Sequence, residues 1–398
     1  MERDGDRLSR IAAALEAAEL DALACSLPSH VLLLSGYWPV VGVSVAIVTR
    51  SGQAALVVPA DEQELAQAGW AASIHAFEPS SLKRLKNVAD VLEVPLRSAL
   101  VGLCGLGARI GCDAGLASQP ASYAAMNIYG AELLRVLRAA APKSHISRAG
   151  RLLAKLKASL TPGEIERVLL ACCIAREAFR EGRAALRPGI EEAQAAAHFT
   201  SPLGAIGTGM PEVQRAGGFA MCMSGPNSAQ ASAAYARSRA RTLQAGESVL
   251  VHCNSYVDGY WTDITRTYVL GEPDARQQQI MAAIFEARAA ALSAIRPGVR
   301  GAEVDRAARE VLTGHGFGAE FRHATGHGVG FAAIDPSALP RLHPKSPDVL
   351  APGMVFNVEP AVYIDGWGGA RHCDTVVVTE QGAEVLSDFQ NTAEELII

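Results

Sequence analysis

Residues 251–268 read VHCNSYVDGYWTDITRTY. The stretch predicts two short strands joined by a turn, a half-buried hairpin with His252 on the first strand and Asp263 opening the second. A carboxylate in such a setting is costly unless it is paired, hydrogen-bonded or bound to a metal ion. An imidazole and a carboxylate on one hairpin therefore raise the question of a shared polar site and of what else converges on it.

The surrounding chain is long enough to supply partners. Its 398 residues suit two domains, and 49% apolar against 19% charged residues supports a sizeable packed core. A net charge of −5 and a pI near 6.1 point to neither a nucleic acid nor an anionic membrane as partner. The longest apolar run, Val40 to Val48, has strand length and falls short of a membrane span. The start, MERDGDRLSRIAAALEAAEL, reads as an amphipathic helix and not as a secretory leader, so a cytoplasmic location is expected. The eight Cys are scattered without CxxC spacing, and in a reducing compartment most serve as small buried hydrophobes.

Upstream, helix and strand alternate. Leu8–Leu20 and Asp61–Ala72 read as helices; Ala22–Cys25, His30–Leu34, Val43–Thr49 and Ala55–Val58 read as strands. This predicts a small α/β domain over 1–145. A second domain over 158–398 opens with Thr161-Pro162-Gly163-Glu164, a capping box with Pro at the first helical position. Helices follow to about Gly182, from Ile190, over 274–295 and over 301–315. Strands are expected at Gly218–Ser224, Ser248–His252, Trp261–Leu270, Val355–Tyr363, Arg371–Thr379 and Ala383–Leu386.

On these elements lie five metal-ligand types: His252, Asp263, His327 in the Gly-rich HATGHGVG, Glu359 in MVFNVEPAVY, and Cys373 in ARHCDTVVV. Each has an ordinary explanation when taken alone. His252 can be a satisfied core histidine, Asp263 a turn cap, Glu359 an arginine partner and Cys373 a buried thiol. Taken together they suggest one site.

The pieces SGPNSA (224–229), GYWTDITRT (259–267), HATGHGVG (323–330), GMVFNVEPAVY (353–363) and ARHCDTVVVTEQG (370–382) resemble, in order, the superfamily of methionine aminopeptidase, proline dipeptidase, aminopeptidase P and creatinase. The first 140 or so residues are similar to the N-terminal domain of its proline-peptidase and creatinase branch. The resemblance implies an N-terminal creatinase-like α/β domain followed by a pita-bread α+β catalytic domain. It also implies a homodimer acting on a short peptide or another small molecule. The usual site there has two Asp, one His and two Glu around two metal ions. By motif position Asp263, His327 and Glu359 match three of the five. His252 stands where the first Asp is expected, and Cys373 where the last Glu is expected. Ser232 and Ile334 stand where the peptidases carry two further histidines, while His323 and Arg371 are kept.

The resemblance thus implies one divalent ion held by Asp263, His327, Glu359 and Cys373, with His252 a further ligand or a weak second site. A thiolate and an imidazole favour Zn²⁺ or Fe²⁺, with Mn²⁺ or Co²⁺ as other choices. The expected chemistry is hydrolysis of a C–N bond by metal-activated water. Glu359 or His323 would take the proton, and Arg371 or Tyr260 would steady an anion. Loss of both usual histidines argues against ordinary Xaa-Pro peptidase activity at full rate. Two rivals are a metal-free creatinase-like C–N hydrolase or lyase, and a pseudoenzyme that serves as a binding module.

Overall fold

The computed structural model describes residues 3–39, 43–79, 83, 87–105, 107–114, 130–211, 213–232, 237–335 and 338–398. The chain divides into two compact units, 1–157 and 158–398. The Val40–Val48 run begins outside the described residues.

In the first unit the strands β1 (Ala22–Cys25), β2 (Val45–Thr49), β3 (Ala54–Pro59), β4 (Ser73–Phe77), β5 (Arg109–Cys112) and β6 (His145–Arg148) form one sheet ordered β4-β3-β2-β1-β5-β6. Helices α1 (Gly5–Ala17), α2 (Pro28–Ser35), α3 (Gln63–Ala66), α4 (Val88–Cys104), α5 (Gly130–Ala140) and α6 (Gly150–Ala158) complete the run. Leu92, Leu96 and Leu100 of α4 pack with Ile47 and Val57 of the sheet, each within 3% of fully buried. Burial of each such side chain contributes roughly 1.5–3 kcal/mol.

Two sequence expectations fail in this unit. His30–Leu34 is not a strand but the middle of α2. Pro28 starts that helix, and Gly36 ends it in a left-handed conformation (φ 67°). A short apolar run buried all round has no period to separate helix from strand. The helix expected over Asp61–Ala72 shrinks to a 3₁₀ turn at Ala60–Glu62 and the single turn of α3.

The second unit begins with α7 (Pro162–Ala185). Its capping box is formed: Thr161 accepts from the Glu164 N–H, and the Glu164 carboxylate accepts from the Thr161 N–H at 2.9 Å. Helix α8 (Glu192–Thr208) follows, then β7 (Ala216–Ser224), β8 (Ser248–Val257), β9 (Tyr260–Trp261) and β10 (Ile264–Val269). Helices α9 (Ala275–Ala294) and α10 (Gly301–Gly314) lead to β11 (Val355–Val358), β12 (Ala361–Ile364), β13 (Gly368–Arg371), β14 (Asp374–Val378) and β15 (Ala383–Val385). The core lies between these strands and α9 and α10, with Ile284, Leu312, Phe356, Val358 and Tyr363 buried together.

The hairpin of 251–268 is almost wholly buried, not half-buried, because β8 is flanked by β7 on one side and β10 on the other. Its turn is the two-residue link Asp258-Gly259 between the paired Val257 and Tyr260, with φ of 51° and 90°. Positive φ at both positions matches the twist of the flanking strands, and Asp-Gly adopts it readily.

The single strand expected over Val355–Tyr363 is interrupted at Glu359-Pro360, since proline brings no N–H to the ladder. The register nevertheless carries straight through. Val358 pairs with Asp374 and Ala361 with Arg371, so Glu359 falls opposite Cys373.

Candidate active site

Strand pairing places the candidate residues in rows across the sheet. His252 pairs with Thr265 in the β8–β10 ladder. Thr265 pairs in turn with Cys373 through both backbone hydrogen bonds, at 3.2 and 3.0 Å, and Cys373 faces Glu359. Directly paired residues send their side chains to the same face, so His252, Thr265, Cys373 and Glu359 share one. The neighbouring row, two residues along each strand, runs through Asp263, Thr375, Asn357 and His327. Thr375 Oγ1 meets the backbone of Asp263, Thr375 pairs with Asn357, and the Asn357 N–H donates to the His327 carbonyl at 3.0 Å. Arg371 lies two residues before Cys373 on the same face, pinned where Thr267 Oγ1 accepts its N–H and donates to its carbonyl.

Asp263 is the hub. Its Oδ1 lies 3.5 Å from His252 Nδ1 and 3.5 Å from the Cys373 sulfur, and its Oδ2 lies 3.7 Å from His327 Nε2. His327 donates Nδ1–H to the Gly328 carbonyl at 3.1 Å, which leaves Nε2 as the electron-pair donor on the Asp263 side. The Asn357 side chain fixes that turn by accepting the His327 backbone N–H at 2.7 Å. Glu359 approaches Arg371 Nη1 at 3.5 Å.

Burial sets the protonation states. It holds the Cys373 thiol well above its usual range, with the Asp263 and Glu359 charges adding to the effect, so the sulfur carries its proton towards Asp263. It also pulls His252 below the ordinary imidazole value, against the opposing pull of Asp263. Burial alone would lower Arg371 too, but Tyr363, Glu359, Cys373 and Asp263 around it raise it, and it is a permanent cation.

The remaining expectations sit differently. Both ring nitrogens of His323 are engaged: Nδ1 with the Ala324 carbonyl at 2.8 Å and Nε2 with the Tyr363 hydroxyl at 2.9 Å. Burial lowers its pKa. Tyr260 is fully buried, its ring 5.4 Å from that of Phe331. Ser232 is half-buried at the end of a 3₁₀ segment, and Ile334 is 41% exposed. Thr265, Thr267, Asn357 and Thr375 are site residues that motif reading misses. Their signal is an even spacing from a candidate along the chain, two residues for Thr265, Asn357 and Thr375 and four for Thr267.

Does this set suit a metal ion? Its donors are two carboxylate side chains, an imidazole nitrogen, and a thiol that becomes a strong ligand on losing its proton. Two carboxylates against one guanidinium leave a formal charge of minus one. A divalent ion that displaces the thiol proton would bring the group to neutrality. The chemistry therefore fits one ion. The donors are not drawn tightly together, however. Among the described residues, the one set of three His, Cys, Asp or Glu donors lying within 4.8 Å of one another is Cys25, His30 and Asp113, in the first unit. That set has a structural explanation. The Asp113 carboxylate, just past the end of β5, accepts from the Ser26 and Leu27 N–H groups and from His30 Nδ1 at 2.9–3.2 Å, fixing the turn that leads into α2.

Comparison with known proteins agrees with the fold. The profile of "Metallopeptidase family M24" matches residues 166–380. The chain is 39% identical over 214 residues to "Probable dipeptidase PepE" of Mycobacterium tuberculosis, covering 54% of this chain and 53% of that protein. It is 37% identical over 147 residues to the Xaa-Pro dipeptidase of Pyrococcus furiosus, covering 37% of this chain and 41% of that protein. These matches thus span about half the length of the curated relatives, or less. The crystal structure of dipeptidase PepE from Mycobacterium ulcerans superimposes with a TM-score of 0.75 at 27% identity, covering 100% of this chain and 99% of that one. Among the described residues no helix is long and apolar enough to cross a membrane.

Proposed function

The chain is a member of metallopeptidase family M24, and from that premise we propose that it is a metal-dependent hydrolase of a C–N bond in a short peptide or a similar small molecule. The observation that carries this reading is the position of Asp263, within 3.7 Å of both His327 Nε2 and the Cys373 sulfur on a shared sheet face. Asp263, His327, Glu359 and Cys373 would hold one divalent ion, and the sulfur favours Zn²⁺ or Fe²⁺. When bound, such an ion supplies an activated water and polarises the scissile carbonyl.

The chain's own residues do the rest. Glu359 takes the proton, because His323 has both ring nitrogens committed. His323 instead orients Tyr363. Arg371 supplies fixed positive charge for an anionic group of the substrate or for the developing oxyanion. Ser232 and Ile334 offer no imidazole, so turnover of Xaa-Pro dipeptides should be slow, and a small amide or amidine is an equal substrate class.

The test is elemental analysis of untagged protein, followed by turnover of a panel of Xaa-Pro dipeptides and small cyclic or guanidino amides. Near one equivalent of ion with hydrolysis of any panel member supports the reading. No ion, even after incubation with Zn²⁺, Mn²⁺ and Fe²⁺, overturns it.

A further inference from the structure

The row through Asp263 continues on the side away from Thr375. Ile264 pairs with Cys253 and Trp261 with Tyr256, so Asp263 falls opposite Asn254, and Asn254 pairs with Phe219. Directly paired residues share a face, so Asn254 and Phe219 extend the Asp263 row. The next row on that face holds Gly217, Tyr256 and Trp261. Three aromatic rings meet there. The Trp261 ring centroid lies 4.6 Å from that of Tyr256 and 6.4 Å from that of Phe219. Gly217 makes room for them: a Cβ there would come within 2.8 Å of the Tyr256 hydroxyl and 3.0 Å of its Cζ, so this ring lies over the glycine. All three aromatic residues are half-buried, whereas Asp263 and Asn254 beside them are buried. The rings are also anchored to the candidate ligands. Asn254 Nδ2 donates to the carbonyls of Thr262 at 2.8 Å and Ala333 at 3.1 Å, and the Trp261 N–H donates to the Gly330 carbonyl at 2.6 Å. One tie runs to the residue before Asp263, the other to the Gly-rich turn that carries His327.

We propose that Phe219, Tyr256 and Trp261 form a subsite for an aromatic side chain of the substrate, next to the bond that is cut. This inference rests on the proposed hydrolase function and names the substrate class of that site. Rows on one face of a strand repeat about every 7 Å, which is close to the reach of a Phe or Trp side chain. A substrate whose scissile carbonyl sits beside Asp263 therefore lays such a side chain over the rings. Another ring gains offset or edge-on contact there beyond the apolar area it buries. A charged side chain would instead give up hydration against the same surface. The anchoring through Thr262 and Gly330 keeps the ring surface at a fixed distance from Asp263 and His327, so a seated side chain also sets where the scissile bond lies.

The test uses the full chain and dipeptides alike except in one side chain, varied through Ala, Leu, Phe, Trp, Lys and Glu at each of the two positions. Binding is read by isothermal titration of their non-cleavable reduced-amide analogues, and turnover is read on the parent dipeptides. At one position the Phe and Trp analogues are expected to bind about tenfold tighter than the Ala analogue. That ratio should fall to about one in Trp261→Ala and be largely kept in Trp261→Phe, with folding checked by circular dichroism. Should Trp261→Ala fail to fold, Phe219→Ala is read in the same way. No binding by any analogue, equal affinities across the series, tightest binding of the Lys or Glu analogue, or a ratio that survives the alanine variant each overturn the inference. The two readings fail separately. An aromatic preference in binding without turnover of any parent dipeptide counts against the hydrolase and supports the subsite. Turnover that is indifferent to the side chain does the reverse.

Discussion

The Cys373 sulfur lies 3.5 Å from Asp263 Oδ1 and donates towards that carboxylate while burial keeps its proton in place. On the proposed ligand set, an incoming metal ion would displace this proton. Ion affinity should therefore rise with pH and fall as the solution is acidified, steeper by one proton than in a Cys373→Ser variant. Metal titration at several pH values measures the difference. Equal slopes in the two proteins would remove the sulfur from the ligand set.

His327 depends on Asn357, whose Oδ1 accepts the His327 N–H at 2.7 Å. Partners that orient a ligand typically account for about 10- to 100-fold in affinity. Asn357→Ala should weaken ion binding by that order, and His327→Ala should abolish it. Isothermal titration of the folded variants gives the answer, and unchanged affinity in Asn357→Ala would make the contact merely structural.

The ribbon carrying Glu359 and Cys373 is tied to β10 by a fully buried ion pair. Arg266 Nη2 reaches Asp374 Oδ1 at 2.8 Å, Arg288 Nε reaches the other oxygen at 2.5 Å, and Arg266 also donates to the Cys373 carbonyl. Removing one partner of such a pair costs about 3–5 kcal/mol, because the other charge stays buried. Arg266→Ala should lower the thermal midpoint by several degrees in a melt. A shift of less than a degree would show the pair to be dispensable.

Acid should loosen the same region. Burial, reinforced by Arg266, pushes His372 down to about 4. Burial alone would raise Asp374, but Arg266, His372 and Arg288 hold it well below the usual carboxylate range. The unfolded chain therefore binds a proton at His372 between about pH 6.5 and 4 that the folded chain does not, and stability falls as pH drops through that window. Below it the unfolded chain also protonates Asp374, and the loss continues. Denaturant titrations from pH 7.5 to 4.5 should show the decline, and His372→Phe should flatten its upper part.

Much of this architecture is readable in the sequence because the signals are local. The capping box at Thr161 is formed as read, and the strands at Ala22–Cys25 and Ala383–Val385 fall within a residue of expectation. The failure at His30–Leu34 arises because an apolar run buried on every side has no polar face to report its period. The site was legible as a list of residue types but not as a circuit. Nothing in the local pattern tells that Arg371 points at His252 across 119 positions, because that contact is set by strand pairing between segments far apart in the chain.

Thr265 has His252 on one side and Cys373 on the other. The two residues are thus separated by a single strand, close enough for substitutions at them to couple. The cost of a substitution at one will depend on which residue occupies the other. Reverting His252 to Asp or Cys373 to Glu singly should give free-energy changes that do not sum to that of the double reversion.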